Sequence, residues 1–362
     1  MTLFLAAVHA VHWLILLGNV VYLRRQRRRA AAYPALSVLI PARNEEENLR
    51  RLLPTLRAQD YPGFEVLVYD DGSEDGTGRV VAEAAAQDAR IRGLRGEGPP
   101  PGWVGKVHAL YRATREARGA RYLFLDADAE LLRPDALRRL ADRLAGAPDG
   151  AVLTGLTRLR GGGRLVVSLV PNAILTGLPW PLVRRLPLAS LGALNGQCWM
   201  ISADAYHHHE PHEAHPDEVL EDVRIGRYLK ARGMTPVLAD LHDDVAIHMY
   251  RDLGDAWRGF RKNAYLILGG RVPLFFVLAP LYLFTFVLAP FFSLWFLLSL
   301  YGLKLVTDRL GRFPLWLTAL APLSYALGAL QQIDSAVAHW TGHVAWKGRR
   351  VGAAAPTGEA VP

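Results

Sequence analysis

The apolar residues of this chain are concentrated at its two ends. Residues 2–23 are almost continuously apolar and carry no charge, and a run of about 20 such residues is long enough to cross a bilayer as a helix. A second apolar block covers 272–305 and 313–330 and is punctuated by prolines, which membrane helices tolerate where neighbouring groups satisfy the freed carbonyls. The pattern predicts an N-terminal transmembrane anchor at 1–24 and a C-terminal transmembrane region at 272–346, with two to four segments in the latter.

Between these blocks, short apolar runs alternate with stretches of helical spacing. Residues 36–40 form an apolar run, and the following stretch, 45–58, has its leucines on one face. The same order recurs at 64–69 and again at 122–125. This alternation predicts an α/β fold with a mostly parallel, doubly wound sheet within 33–271. Ligands bind such sheets beyond the carboxyl ends of the strands, so we expect the pocket there.

A cluster of arginines follows the first apolar block, at positions 24, 25, 27, 28 and 29. A secretory signal would carry its basic residues before the apolar run, so an uncleaved anchor fits better. The positive-inside rule then puts everything after Arg24 in the cytoplasm. The cluster supplies much of the net charge of +8, which anionic lipid explains without a nucleic-acid partner. We therefore expect a multi-pass protein of the cell membrane, with its central domain cytoplasmic.

Several smaller features limit the possibilities further. The single cysteine, Cys198, excludes an internal disulfide and a cysteine-built metal site, in keeping with a reducing compartment. The five histidines within 207–215 are irregularly spaced, which disfavours zinc binding. The proline-broken apolar stretch 165–194 predicts a membrane-interface segment or, alternatively, a buried core segment. The composition of 347–362 predicts a basic, disordered tail.

Acidic pairs follow two of the predicted strands. Asp126 and Asp128 are two residues apart, so if the strand geometry persists their carboxylates point to one side and can share a divalent cation. Oxygen ligands without cysteine indicate Mg²⁺ or Mn²⁺, and such a cation would stabilise a diphosphate leaving group. Asp70 and Asp71 could accept hydrogen bonds from a nucleoside. Taken alone, each pair also fits an ordinary surface turn.

Two further places have residues suited to catalysis. Lys106 lies in what reads as a flexible loop, from which an ammonium could reach a phosphate. Glu221 and Asp222 begin a helical stretch, and a helix N-terminus favours the ionised carboxylate that a general base requires. The alternatives are a solvated lysine and two ordinary first-turn helix acids.

Taken in order along the chain, these motifs resemble the family 2 glycosyltransferases, which have a GT-A fold. The resemblance extends over roughly 35–262, through the segments 37–45, 70–75, 105–106, 126–128 and 221–222. Each segment is weak alone, but five in register are specific. Further segments resemble the membrane-anchored branch that includes hopanoid-associated and carotenoid glycosyltransferases and, more distantly, ceramide glucosyltransferase. These are 102–110, 195–197, 261–263 and 346–349.

The resemblance implies a role for each matching residue. Asp222 would be the catalytic base, and Asp128, assisted by Asp126, would bind the metal. The residues implied in donor binding are Pro41, Arg43, Glu45, Asp70, Asp71, Lys106 and Asp126. The residues implied on the acceptor side are Glu221, His212, Gln197 and Arg261.

Two departures from the family pattern concern the acceptor. Relatives tend to have Gly-Gly-His where this chain has Glu210-Pro211-His212, and the Gln-x-x-Arg-Trp signature of processive synthases is replaced by residues 258–261. The resemblance therefore implies metal-dependent transfer of one sugar, with inversion, from a UDP-sugar such as UDP-glucose. The acceptor would be a hydroxyl or carboxyl of a carotenoid, hopanoid or glycerolipid. A processive polysaccharide synthase and an inactive membrane scaffold of the same fold are the alternatives.

Overall fold

The computed structural model describes residues 2–26, 29, 32–346 and 349–350. The arginines at 27 and 28 and nearly all of the predicted tail at 347–362 lie outside the described residues. The chain forms two compact units that interleave along the sequence. We call residues 1–26, 156–186 and 249–344 the apolar unit. We call residues 27–155, 187–248 and 345–362 the sheet unit. The domain limits predicted from the sequence, at 33–271 and 272–346, stay predictions.

The strands share short, mostly apolar sequences. They are β1 (Leu36–Ala42), β2 (Phe64–Asp71), β3 (Ile91–Gly96), β4 (Arg121–Leu125), β5 (Ala129–Leu131), β6 (Ala151–Leu156), β7 (Arg158–Gly161), β8 (Cys198–Ser202), β9 (Thr235–Asp240), β10 (Val245–Tyr250), β11 (Ala345–Trp346) and β12 (Arg349–Arg350). Seven of these described strands form the main sheet, in the order β3-β2-β1-β4-β8-β6-β9.

The N-terminal half of the main sheet is parallel, which confirms the predicted fold class. Strand β1 pairs in parallel with β2 and with β4, so that Ala42 lies opposite Asp70. Strand β8 then pairs antiparallel with both β4 and β6. In the smaller sheet β10 pairs antiparallel with β5. Since β1, β2 and β4 run the same way, their carboxyl ends meet at one edge of the sheet.

The helices of the sheet unit cover the sheet with one apolar face each. They are α2 (Glu46–Arg57), α3 (Thr77–Gln87), α4 (Gly105–Glu116), α5 (Ala136–Ala145), α9 (Ala203–His209) and α10 (Glu221–Ala231). In α2 the predicted stripe of four leucines, at 49, 52, 53 and 56, is fully buried. Burying each such side chain contributes about 1.5–3 kcal/mol to the free energy of folding. Because all four leucines face the core, their helical spacing is visible in the sequence.

The apolar unit is built from helices throughout most of its length. They are α1 (Thr2–Arg24), α6 (Arg164–Val167), α7 (Leu169–Gly177), α8 (Trp180–Arg185), α11 (Leu253–Arg261), α12 (Ala264–Ile267), α13 (Val272–Tyr282), α14 (Ala289–Phe292), α15 (Leu294–Leu310), α16 (Trp316–Ala319) and α17 (Ala321–Trp340), with a π-helical segment at Leu283–Leu288 and, in the sheet unit, a 3₁₀ turn at Ala189–Leu191. Among the described residues, two continuous helical stretches are long and apolar enough to cross a membrane. The first is α1, and the second is Val272–Phe292, which consists of α13, the π-helical segment and α14.

Polar residues inside α1 bond to other helices of the apolar unit. His9 is fully buried, and its ring nitrogens bond the Ser299 hydroxyl and the carbonyl of Thr285. Asn19 donates to the carbonyl of Leu178 at 2.8 Å and accepts the N–H of Trp180 at 2.9 Å. The Asn19 amide thus satisfies backbone groups freed at the break between α7 and α8.

Candidate active site

The loops that follow β1 and β2 are hydrogen-bonded to each other. Arg43 donates to the carbonyl of Asp71 at 2.9 Å, and the Asn44 side chain accepts the N–H of Glu74 at 2.9 Å. Asn44 adopts a left-handed backbone conformation with φ of 51°, which asparagine tolerates better than most residues. These bonds hold the two strand ends as one platform at the predicted edge of the sheet.

Five of the seven residues expected to bind the donor lie at these two strand ends, whereas Lys106 and Asp126 lie elsewhere. Asp71 is buried at the end of β2, and Asp70 accepts the N–H of Ser73 at 2.9 Å. Pro41 is in β1, and the Glu45 carboxylate accepts a bond from Asn48 at 2.7 Å. The structure therefore brings the predicted nucleoside-side residues together. Their contacts with a nucleotide stay predictions.

Two ring side chains to which the sequence assigned no role, Tyr69 and His108, lie near Asp71. The ring of His108 is 6.0 Å from that of Tyr69 and 5.6 Å from that of Trp103, edge to face in both cases. Burial, and then the charge of Arg112, lowers the pKa of His108, so its ring is neutral at pH 7. Alternation along β2 could have pointed to Tyr69, two residues before Asp71.

Lys106 connects the acids that lie far apart in sequence. It is the second residue of α4, not part of a flexible loop as predicted. Its ammonium is 2.7 Å from Asp126 Oδ1 and 3.0 Å from Glu221 Oε1, and it donates to the carbonyl of Gly196 at 3.3 Å. Burial alone would lower the pKa of Lys106, but the two carboxylates outweigh it and hold that pKa above its usual range. Lys106 is therefore a fixed positive charge at the centre of the site.

Asp222 is oriented by two backbone N–H groups. Its Oδ2 accepts from Gly196 at 2.8 Å and its Oδ1 accepts from Val223 at 2.8 Å. Burial, then repulsion from Glu221, raises the pKa of Asp222 to about 6. A carboxylate with that pKa is ionised at pH 7 and is a stronger base than an ordinary aspartate.

Glycines allow the loop before β8 to approach helix α10 closely. A side chain on Gly192 would lie 2.4 Å from the carbonyl oxygen of Gly226, and one on Gly226 would lie 2.6 Å from the backbone of Ala193. Such distances exclude any larger residue. The close approach lays Gly196 against the first turn of α10, where its N–H meets Asp222 and its carbonyl meets Lys106.

The condition placed on the Asp126–Asp128 pair is not met, because β4 ends at Leu125. The two acids lie in a turn in which the Asp126 carbonyl accepts the N–H of Ala129 at 3.1 Å. Strand geometry therefore does not carry on through the motif, and the sharing of one cation by the two acids stays a prediction. A tight turn before β5 satisfies the backbone there instead.

The described residues contain no group of three or more His, Cys, Asp or Glu side chains that could hold a metal ion by themselves, the histidines of 207–215 included. Two carboxylates nevertheless fit Mg²⁺ or Mn²⁺, because Mg²⁺ is commonly bound through one or two carboxylates plus substrate phosphates and water. About a quarter of the Asp126 side chain is exposed beside its contact with Lys106. Asp126 and Asp128 therefore fit a metal site that the donor diphosphate completes.

Strand β10 supports the Asp126–Asp128 turn. The N–H of His248 donates to the carbonyl of Asp128 at 2.8 Å, and the His248 ring lies 2.7 Å from the carboxylate of Glu130. Directly before β10, buried Asp244 pairs with Arg139 and with Arg143. Sequence reasoning missed these residues. The sequence signal that could have revealed Glu130 is the recurrence of acidic residues at positions 126, 128 and 130.

The residues expected on the acceptor side are divided between the units. In the sheet unit His212 is fully buried, with Nδ1 2.8 Å from the Tyr206 hydroxyl, and burial, then the charge of Lys106, lowers the pKa of His212 to about 3. The backbone carbonyl of Gln197 accepts the N–H of Asp126. Arg261 is in the apolar unit, where its guanidinium makes two bonds to Asp334, at 2.7 and 2.6 Å. Their acceptor roles stay predictions.

A mostly parallel sheet with a lysine and several carboxylates near its strand ends agrees with a GT-A type of fold. The model of the family "Glycosyl transferase family 2" matches residues 37–209, from β1 to α9. Residues 37–209 therefore resemble glycosyl transferase family 2.

Two known proteins are similar to this chain. The 4,4'-diaponeurosporenoate glycosyltransferase of Staphylococcus aureus strain USA300 is 34% identical over 130 residues, which is 35% of this chain and 33% of the relative. The match spans about one third of the length of such curated relatives. A solved mannosyltransferase from Pyrobaculum calidifontis, in complex with GDP-Man and Mn²⁺, is 19% identical with a TM-score of 0.56, covering 92% of this chain and 97% of that one. This second likeness shows the fold.

Proposed function

We propose that this protein transfers a single sugar, with inversion, from a UDP-sugar such as UDP-glucose to a lipid acceptor in the membrane. The observation that carries the proposal is the contact of Lys106 with both Asp126 and Glu221, with the Gly196 peptide connecting this pair to Asp222. It puts a candidate base, a cation and a candidate metal ligand in one cluster.

In the proposed reaction Asp222 acts as general base. The acceptor hydroxyl oxygen forms a bond to the anomeric carbon while its proton passes to the Asp222 carboxylate. The bond between the anomeric carbon and the diphosphate oxygen breaks, and UDP leaves with the electron pair. The N–H groups of Gly196 and Val223 fix the carboxylate without consuming all its lone pairs. A positioned base of this kind contributes about 10²- to 10⁴-fold to the rate.

Charge on the departing diphosphate is met by Lys106, whose ammonium is permanently protonated at neutral pH. Asp126 and Asp128 would hold Mg²⁺ or Mn²⁺ together with that diphosphate. When bound, the cation supplies further positive charge to the leaving group. Preorganised charge of this type is usually the largest single contribution to catalysis.

A lipid acceptor is supported by two observations. The relative from Staphylococcus aureus is named for a carotenoid-type acceptor, and this chain has two helices that could cross a bilayer. We infer a multi-pass protein of the cell membrane, with the sheet unit on the cytoplasmic side as the arginines after α1 indicate.

The direct test is analysis of lipids extracted from bacteria that express the protein or its Asp222→Asn variant, by thin-layer chromatography and mass spectrometry. We expect a glycolipid present only with the unchanged protein. Its mass identifies the sugar and the acceptor together. The matched control is Glu218→Gln, which removes an acid outside the Lys106 cluster and should leave the product in place.

A second arm offers the purified protein UDP-glucose and, separately, GDP-mannose with Mn²⁺ and the extracted lipids. Turnover of UDP-glucose alone supports the proposed donor. Turnover of GDP-mannose alone would contradict the donor assignment while leaving the transferase assignment intact. Lack of turnover with either donor, together with identical lipid profiles, would favour an inactive scaffold.

A further inference from the structure

The apolar unit contains a cavity of about 340 Å³, and three glycines, one arginine and three residues with apolar side chains line it. This volume falls in the range of ligand pockets. The lining residues are Gly161, Gly162, Gly163, Arg164, Leu165, Leu253 and Trp316. None of them belongs to the candidate active site.

The glycines form a fixed wall of this cavity. A side chain on Gly161 would lie 2.4 Å from the carbonyl oxygen of Tyr250, and one on Gly162 would lie 2.1 Å from that of Arg251. Gly162 also donates its N–H to the Tyr250 carbonyl at 2.7 Å. The turn between β7 and α6 is therefore held directly against the backbone that leads into α11.

The mouth of the cavity is apolar although it is open to the surroundings. Leu253 is 40% exposed, and Leu315 and Trp316 are each 50% exposed. Exposed tryptophan beside apolar and basic residues is typical of the level at which lipid headgroups meet acyl chains. These side chains favour a lipid over a soluble ligand.

Arg164 gives the cavity its charge. Its only described partner is the carbonyl of Gly161, 3.2 Å from Nε, and within the described part of the chain no carboxylate forms an ion pair with it. By contrast, the nearby arginines Arg251 and Arg258 both have Asp255 as a partner, at 3.8 and 3.5 Å. An exposed cation without a counter-ion at an apolar opening is complementary to a negatively charged lipid headgroup.

We propose that this cavity binds one anionic phospholipid of the surrounding bilayer, with its phosphate on Arg164 and its glycerol and upper acyl region against Leu253 and Trp316. The site is separate from sugar transfer and does not depend on the proposed reaction. It would anchor the start of α6 to the membrane surface.

The test is native mass spectrometry of the full-length protein in mild detergent, titrated with phosphatidylglycerol or with phosphatidylcholine of the same acyl chains. We expect preferential retention of phosphatidylglycerol. Arg164→Gln should weaken that retention about fivefold, the effect of one cation near an anionic surface, and leave phosphatidylcholine unchanged. Trp316→Ala should weaken both lipids alike.

The matched control is Arg258→Gln, which removes another exposed charge of the same unit. Arg258 does not line the cavity, so this variant should retain phosphatidylglycerol fully. Equal retention of the two lipids, or equal losses in Arg164→Gln and Arg258→Gln, would overturn the proposal. Arg164→Lys keeps the charge and should bind phosphatidylglycerol within about twofold of the unchanged protein, because either cation contributes about equally near an anionic surface. A loss as large as that of Arg164→Gln would assign the effect to the bond with Gly161 instead. Displacement by inorganic phosphate would likewise contradict a lipid site.

Discussion

The ammonium of Lys106 lies 2.7 Å from Asp126, one of the two acids expected to hold the metal. Without a nucleotide, the Lys106 ammonium therefore occupies the Asp126 carboxylate that a metal cation would need as a ligand. Two like charges competing for one carboxylate disfavour each other. Metal binding in this site should consequently depend on the donor diphosphate, which can accept Lys106 and supply ligands to the metal at once.

Replacement of Lys106 by methionine tests this competition. Lys106→Met should tighten Mn²⁺ binding in the absence of nucleotide, because Asp126 loses its competing partner. The same variant should lower kcat about 10²-fold, because a preorganised charge on the leaving group is lost. Electron paramagnetic resonance of free Mn²⁺ measures the first effect and an initial-rate assay the second.

The control for Lys106→Met is Arg224→Gln on α10, whose cation pairs with Glu218 at 2.7 Å outside the cluster. It should leave both Mn²⁺ binding and kcat unchanged. Weaker Mn²⁺ binding in Lys106→Met without nucleotide would contradict the competition.

The pH dependence should report the state of Asp222. A general base must be ionised, and burial with repulsion from Glu221 raises the pKa of Asp222 to about 6. Activity should therefore be full above that pH and fall as the pH drops below it. Glu221→Gln removes the repelling charge, which lowers the pKa of Asp222 and should move the acid limb of kcat/KM to lower pH. A limb that moves upward, or moves equally in Glu218→Gln, would refute the assignment.

Gly196→Ala tests the backbone bond that orients Asp222. A methyl group at this position would lie 3.2 Å from Asp222 Cβ and Oδ2 and 3.2 Å from Glu221 Oε1, so the carboxylates must shift. We expect kcat to fall about 10- to 100-fold, as small displacements of catalytic groups do, with an unchanged melting temperature. Gly63→Ala, where a methyl group meets nothing within 4 Å, should retain full activity. Equal activity of the two variants would remove Gly196 from the positioning of the base.

Much of the fold could be predicted because its pattern is local. The leucine stripe of α2 and the apolar runs of β1 and β2 are visible in short windows. Strand β3 was missed because its sequence, IRGLRG, has no apolar run and is mostly half-buried or exposed. Strand β8 follows a proline-broken stretch, and its partners β4 and β6 are far away in sequence. Local spacing contains no information on such pairing.

The candidate site was predictable in composition but not in its internal contacts. Residue type and order pointed to Asp126, Asp222 and Lys106. Their arrangement depends on Gly196, a residue whose role comes from its backbone, and on Gly192 and Gly226, which permit the close approach of two segments. The environment of Lys106 was misjudged because the glycines before it suggested a loop, whereas its acidic partners come from other elements.

Asn19→Leu tests the packing of the apolar unit. Leucine suits an apolar helix but cannot bond the carbonyl of Leu178 or the N–H of Trp180. A buried backbone group left unsatisfied costs about 1–3 kcal/mol. We expect a clearly lower melting temperature in detergent for Asn19→Leu and no change for Val11→Leu, whose side chain is 51% exposed. Equal stability of the two variants would show that α1 does not need this bond.

The central claim is that Asp222 removes the acceptor proton in a transfer from a UDP-sugar. The most direct measurement compares Asp222→Asn with the unchanged protein in two assays: UDP binding by calorimetry with Mn²⁺, and transfer of labelled glucose from UDP-glucose to extracted lipid. The account predicts UDP affinity within about twofold, because Asp222 is not among the residues proposed to bind the donor, and transfer reduced at least about 10²-fold. Transfer at the rate of the unchanged protein would contradict Asp222 as the base, and loss of UDP binding would place it in donor binding instead.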